Sequence, residues 1–348
     1  GATAPPGSEI ACLPPAAVEV LGSLDAGGRV LEHARRVTRA TVRREAEGAA
    51  GADATEGTVD GGPPGSRRAL PAVVPTAALS RLLRSGIGDA VATDSRRLDA
   101  VSPGESGVAV AFEDGVTETF DLVVDASGTV GACGRPDRDG ERYTLTQYEA
   151  VTDADGDGDR IAEWWGPEAV VQRLPRAAEA GRHVRITAAD PDASVPAVLR
   201  AAGPESGSVA LPDAAAFSPA RVEQVEVPDS GPASRWWGRG RIARCGPGAC
   251  PAAPAADAGP ALGLADALGV VRAITREGAT VPDAVESYAD RRAARFADRR
   301  REAARSDLPT AGAASPTEPL GSVYALRAAA LDPFFGTAPA ALRDVGGT

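Results

Sequence analysis

Apolar positions along the chain follow two different periods. After Pro14 and Pro15, the residues Ala16, Val18, Val20, Leu21 and Leu24 form one apolar face. Proline suits a helix start, so residues 1–25 read as a loop followed by a short helix. Val37 to Arg43 alternates loosely and predicts a strand. Residues 45–66 hold Gly, Ala, Asp, Glu and Pro without a period, which predicts an exposed loop or insertion. Residues 75–85 put Leu79, Leu82 and Leu83 on one helical face. The clearest β signal follows. Val108, Val110 and Phe112 alternate with alanines, Glu113 to Gly115 turns, and Val116 to Phe120 returns as the second arm of a hairpin. Asp121 to Gly128 is a short apolar run closed by small residues. It predicts a buried strand of an α/β sheet, with Gly128 permitting a tight bend.

Residues 140–235 read as irregular antiparallel strands, with Trp164 or Trp165 facing inward. From residue 260 the period becomes helical. Leu264, Leu268 and Val271 share a face, and Gly278 is a natural C-cap. A second helix runs from near Pro282 through Tyr288 to Arg305. A Pro-rich stretch at 309–319 precedes a helical tail with Leu326 and Leu331. No window approaches the ~18 consecutive apolar residues of a membrane span.

The 348 residues suggest about two domains. With 43% hydrophobic residues they build a sizeable core. There is no Lys, Asn or Met, so all 37 basic side chains are Arg, against 48 acids and a net charge of −11. An acidic, Lys-free chain of halophilic type suits a salt-rich cytoplasm, and high-GC coding bias alone gives the same pattern. The negative field argues against nucleic acid and anionic membranes as partners. No charged-then-apolar segment opens the chain, so a cytoplasmic protein is expected. Nothing in the sequence signals an oligomeric state.

Candidate chemistry is sparse. Cys12, Cys133, Cys245 and Cys250 form no CxxC pair and neither histidine stands near them, so no metal site is expected. Asp153, Asp155, Asp157 and Gly158 resemble half of a calcium loop. Trp164 occupies the twelfth position where a bidentate Glu is needed, so the segment reads as an acidic, solvated hairpin tip. Arg291, Arg292, Arg295, Arg299, Arg300, Arg301 and Arg305 alternate with Asp290, Asp298 and Glu302, which predicts a solvated helix face. Trp164, Trp165, Trp236 and Trp237 read as core of the β-rich region. His33 and His183 sit in no catalytic motif and read as structural or exposed, so no catalytic residue is assigned.

The order of these segments resembles a known family. The run from Gly7 to Leu21, the helix from Leu79, the hairpin at 108–120 and the strand Asp121 to Gly128 carry the likeness. Glu163-Trp164-Trp165-Gly166, Trp237 to Gly246, Leu262 to Ala267 and Tyr288 to Arg292 extend it over most of the chain. Together they resemble the flavin-dependent aromatic hydroxylases, the para-hydroxybenzoate-hydroxylase-like monooxygenases. The resemblance implies an α/β fold: a Rossmann-like FAD-domain remnant with an inserted, mainly antiparallel β substrate domain and C-terminal helices. The implied division is 1–138 and 236–278 for the FAD-type domain, 139–235 for the substrate-type domain, and 279–348 for the C-terminal helices. Strand Asp121–Ala126 is then expected in the main sheet, beside the segment near Arg241–Cys245.

The resemblance implies cofactor-binding positions at Thr76, Ser127, Gly128, Gly246, Pro247 and Gly259, and the residues there depart from the family pattern. The family's Arg falls at Thr76, and its two Asp residues fall at Ser127 and Pro247. The family's opening strand, GxGxxG turn and helix, which cradle the FAD pyrophosphate, have no counterpart here. Two explanations fit: a fragment of a longer protein, or a Gly1 that follows a removed initiator Met. Pro247 carries neither a side-chain acceptor nor a backbone N–H, and Thr76 carries no charge for a phosphate. These changes predict weak FAD binding or none.

Two functions follow. One is NAD(P)H-driven, FAD-dependent hydroxylation of a small organic substrate. The other is a cofactor-free scaffold that binds a small molecule or a protein partner.

Overall fold

A computed structural model describes residues 10–13, 15–22, 24, 27–44, 55–61, 71–88, 91–127, 142–152, 158–165, 169–176, 182–188, 194–197, 214–225, 233–246, 249 and 259–305. Cys133, Cys250, Gly128, Pro247, the acidic tip from Asp153 to Asp157, the Pro-rich stretch and the tail with Leu326 and Leu331 lie outside the described residues.

The chain begins with β1 (Ile10–Leu13), α1 (Pro15–Gly22), α2 (Gly27–Glu32) and β2 (Arg35–Arg36). Then come β3 (Arg39–Arg44), β4 (Thr55–Asp60), β5 (Ala72–Pro75) and α3 (Thr76–Ser85). β6 (Leu98–Pro103), β7 (Val108–Phe112), β8 (Thr117–Phe120) and β9 (Val123–Asp125) follow. The central part holds β10 (Arg142–Thr152), β11 (Arg160–Trp165), β12 (Ala169–Pro175), β13 (Arg182–Ala188) and β14 (Ser218–Val225). β15 (Gly238–Arg239), β16 (Ile242–Arg244), α4 (Gly259–Ile274) and α5 (Val281–Arg305) complete it.

The strands build four sheets, in the orders β1-β5-β2, β14-β10-β13-β12-β11-β3-β4, β15-β16-β9 and β6-β7-β8. The expected hairpin is β7–β8, turning at Gly115 with φ +82°. Its alternation has a cause: Val108 and Val110 are buried against Ile242 of β16.

Two loop readings give way to strands. Ile10–Leu13 pairs antiparallel with β5, because Ile10, Ala11 and Leu13 are buried there. Thr55–Asp60 is an edge strand of the large sheet, paired antiparallel with β3. Its sequence, TEGTVD, has no apolar alternation, and its antiparallel ladder with β3 is what makes it a strand. Every pairing in the large sheet is antiparallel except β11–β3, which is parallel.

One core joins β1, α1, α2, β5, α3, β16, α4 and α5, and it includes Trp236, Trp237 and Tyr288. The Trp236–Trp237 pair therefore belongs to this core and not to that of the β-rich region, because a short 3-10 turn (Ala233–Trp236) delivers it there. A second core lies on one face of the large sheet and contains Trp164, Val171, Val184, Ile186 and Phe217. The other face meets the first sheet, where Ile161 and Leu174 pack with Ile10 and Val73.

Candidate functional site

The expected pairing of β9 with β16 is found, but in the small sheet β15-β16-β9; as the edge strand of that sheet β9 is half-exposed and not the buried strand expected, with Val124 44% exposed. The two strands run parallel, with Ile242 opposite Val123 and Arg244 opposite Asp125. The ladder ends where Cys245 N–H donates to the Asp125 carbonyl oxygen at 2.9 Å. Both chains therefore leave the sheet at one edge, through Ser127 and Gly246. Crevices outside the carboxyl ends of parallel strands are the usual ligand sites of α/β sheets.

Each exit is fixed differently. The Ser127 N–H and hydroxyl both donate to Asp125 Oδ1, at 3.1 and 2.7 Å, which closes a tight turn. Gly246 turns with φ +73°, a conformation that favours glycine. Its N–H donates to Asp266 Oδ2 at 2.7 Å. Asp266 lies on α4 and is 0% exposed, and its Oδ1 pairs with the Arg292 guanidinium of α5. Arg292 is thus no part of a solvated face. At 2% exposure it lies on the inner side of α5, while its neighbour Arg291 is exposed. The side chains from Arg295 onward lie outside the described residues.

Tyr288 completes the cluster. Its hydroxyl donates to the Arg244 carbonyl oxygen at 2.7 Å and lies 3.9 Å from Cys245 Sγ. The ring rests against α4 at Gly269, where an added Cβ would meet it at 3.0 Å. Burial pushes the Asp266 carboxyl up to about 6, against the opposing pull of Arg292 and the Gly246 N–H. Burial and the Asp266 charge push the Cys245 thiol up to about 12, so it is no nucleophile near neutrality. Burial, with the same charge, raises Tyr288 as well.

The other expected positions surround the same core. Thr76 is the first residue of α3, which follows β5 directly through Pro75, and Leu79 carries α3 into the core of Ala243 and Cys245. Gly259 is the first residue of α4. The structure thus brings Ser127 and Gly246 to one sheet edge and sets Thr76 and Gly259 at the starts of helices packed behind it.

A second polar array escaped the sequence reading. Glu149 on β10, Arg185 on β13, Gln172 on β12 and Glu163 on β11 stand opposite one another across four adjacent strands. Arg185 Nε donates to Glu149 Oε1 at 3.0 Å, and Gln172 Nε2 donates to Glu163 Oε1 at 2.8 Å. Arg185 also reaches the Ile10 carbonyl oxygen of β1 at 3.4 Å, so the row faces the first sheet. His183 is buried beside it, with Nε2 3.4 Å from Glu149 Oε2. Burial pushes Glu149 up, but the His183 hydrogen bond and the Arg185 charge outweigh it and leave the carboxyl at about 2. The signal was a polar residue at every second position of apolar strands, which names no face until the partner strands are known. Among the described residues no three His, Cys, Asp or Glu side chains cluster to hold a metal ion.

No protein-family model matches the chain. No curated protein sequence matches it. Solved structures do. HpxO of Klebsiella pneumoniae, complexed with FAD and uric acid, aligns with a TM-score of 0.64 at 19% identity, over 98% of this chain and 82% of that one. A salicylate hydroxylase substrate complex gives 0.62 at 14% identity, over 97% and 88%. The tetracycline destructase Tet(51) gives 0.58 at 13% identity, over 97% and 88%. The fold is that of the FAD-dependent aromatic hydroxylases.

The turn at Gly246 has no side chain. Gly263 of α4 lies against it, 3.6 Å from the site of an added Cβ, and the first turn of α4 holds no acid. Among the described residues no helix is long and apolar enough to cross a membrane.

Proposed function

We propose that this chain is a flavin-monooxygenase-type oxidoreductase that hydroxylates a small organic substrate with NAD(P)H as reductant. Its flavin site is weakened at Thr76, Ser127 and Pro247. The observation that carries the reading is the parallel β9–β16 pair, ending at Ser127 and at the left-handed Gly246 beside α4. FAD, when bound, supplies the redox and oxygen-transfer chemistry. The chain's own residues have three tasks. The Gly246 turn and the start of α4 orient the ring. The Ser127 turn closes the second strand end. The apolar contact of Ile10, Val73, Ile161 and Leu174 excludes water between the two sheets. The −11 charge suits a cytoplasmic protein acting on free small molecules, away from nucleic acid and membranes. The domain division at 138, 235 and 278 belongs to the same proposal.

A second reading, a cofactor-free scaffold binding a small molecule or a protein partner, is favoured by the same three replacements. One experiment separates the two. Flavin absorption bands in freshly purified protein, with saturable quenching of FAD fluorescence, support the enzyme. A colourless protein that leaves FAD fluorescence unchanged up to millimolar concentration supports the scaffold.

A further inference from the structure

The bond from Gly246 to Asp266 stands at the boundary between fixed and exiting chain. Upstream, β16 is held three ways: by β9, by the Cys245 N–H to the Asp125 carbonyl oxygen, and by the Tyr288 hydroxyl on the Arg244 carbonyl oxygen. At Gly246 the backbone turns left-handed, and glycine by itself populates both signs of φ about equally. Two bonds hold the turn: its N–H donates to the Asp266 carboxylate at 2.7 Å, and its carbonyl oxygen accepts from the Ala249 N–H at 3.0 Å. We propose that ionised Asp266 is the positioning residue of the cofactor-facing turn: it locks Gly246 in the left-handed conformation, and protonation of Asp266 releases the turn. The proposal deepens the flavin reading of this site and rests on it.

The surroundings support a single titrating group. Facing the carboxylate are Arg292 and Tyr288 from α5 and Cys245 from β16, with Asp125 of β9 behind Cys245. Arginine side chains are not deprotonated in proteins. Burial holds Tyr288 and Cys245 protonated. Burial also brings Asp266 up to about 6, inside the range in which folded proteins are handled. Protonation removes charge assistance from the Gly246 bond, which roughly halves its strength, and it leaves Arg292 without a buried counter-charge.

The test reads the turn itself. Amide hydrogen exchange at Gly246 is followed in the full chain at pH 7.5 and pH 5, corrected for intrinsic rates. In wild type, protection is expected to fall about tenfold at the lower pH. Asp266→Asn keeps an acceptor but has no charge to lose, so its protection should be low and equal at both pH values. An unchanged wild-type protection factor overturns the proposal, and so does a pH response that survives in Asp266→Asn. If the stranded Arg292 prevents folding of that variant, Asp266→Asn with Arg292→Gln replaces it, and the wild-type comparison needs no variant. FAD titration runs in parallel. Where wild type binds, Asp266→Asn should raise Kd about tenfold at pH 7.5, with less than twofold change at pH 5. Absence of FAD binding in wild type overturns the flavin reading, while the exchange result still decides the role of Asp266 at the turn.

Discussion

Tyr288 donates its hydroxyl to the carbonyl oxygen of Arg244 at 2.7 Å, tying the last long helix to the end of β16. The last carbonyl of a strand is a vulnerable acceptor, and here a buried tyrosine covers it. Tyr288→Phe keeps the packing against Gly269 and removes only the donor. The expected cost is about 1–2 kcal/mol, read as a lower urea midpoint at constant m-value. A midpoint equal to wild type would show that water satisfies Arg244 equally well.

Arg185 and Glu149 predict a coupled loss. Arg185→Met leaves the Glu149 carboxylate, 16% exposed, with His183 as a remaining partner. Removing one partner of a buried pair costs about 3–5 kcal/mol. Adding Glu149→Gln should return a large part of that. A double variant no more stable than Arg185→Met alone would mean that the two residues act independently.

Acid stability follows from the same carboxylate. Glu149 titrates at about 2 in the fold against an ordinary value of 4.5. Its folded pKa is depressed, so its stabilisation is present above about pH 4.5 and is lost as pH falls through 2. The size is on the order of 2–3 kcal/mol. Asp266 has the opposite sign. Raised from 3.8 to about 6, it favours folding most below pH 3.8, and that contribution is lost as pH rises through 6. Thermal melts between pH 2 and pH 7 should therefore show a shallower acid limb in Glu149→Gln than in wild type. Parallel limbs would contradict the assignment.

FAD affinity tests the three replaced positions. Wild type is expected to bind with Kd above about 1 µM. Ser127→Asp adds one charge-assisted acceptor and should improve Kd by no more than about tenfold, the size of one such bond. Submicromolar binding by the chain as it stands would show that Thr76, Ser127 and Pro247 matter less than their chemistry suggests.

Much of the architecture was legible because its signals are local. The alternation of Val108, Val110 and Phe112, the run into Asp125, and the spacing of Leu264 and Leu268 each mark an element without reference to partners. The framework resemblance placed β9 beside β16, and the structure pairs Val124 with Ala243. What stayed hidden depends on partners distant in sequence. Thr55–Asp60 is a strand only because β3 lies beside it. Arg292 reads as one more arginine in a charged helix until Asp266 is seen beneath it. Glu163 and Gln172 look like surface polarity on a strand until the first sheet covers them. Their chemistry is written in register, and register is not a property of a single segment.

The parallel contact between β11 and β3 has a consequence for how the molecule is made. Arg39 to Arg44 emerges from the ribosome long before Arg160 to Trp165, the strand it lies against. Until then, the β3–β4 ribbon has its hydrogen-bonding edge on the β11 side unmet. Ala40, which ends up buried against Ile161 and Leu174, also waits uncovered. Non-local pairings of this kind close late and slow the search for the native state. Such an edge is a docking point for another nascent chain.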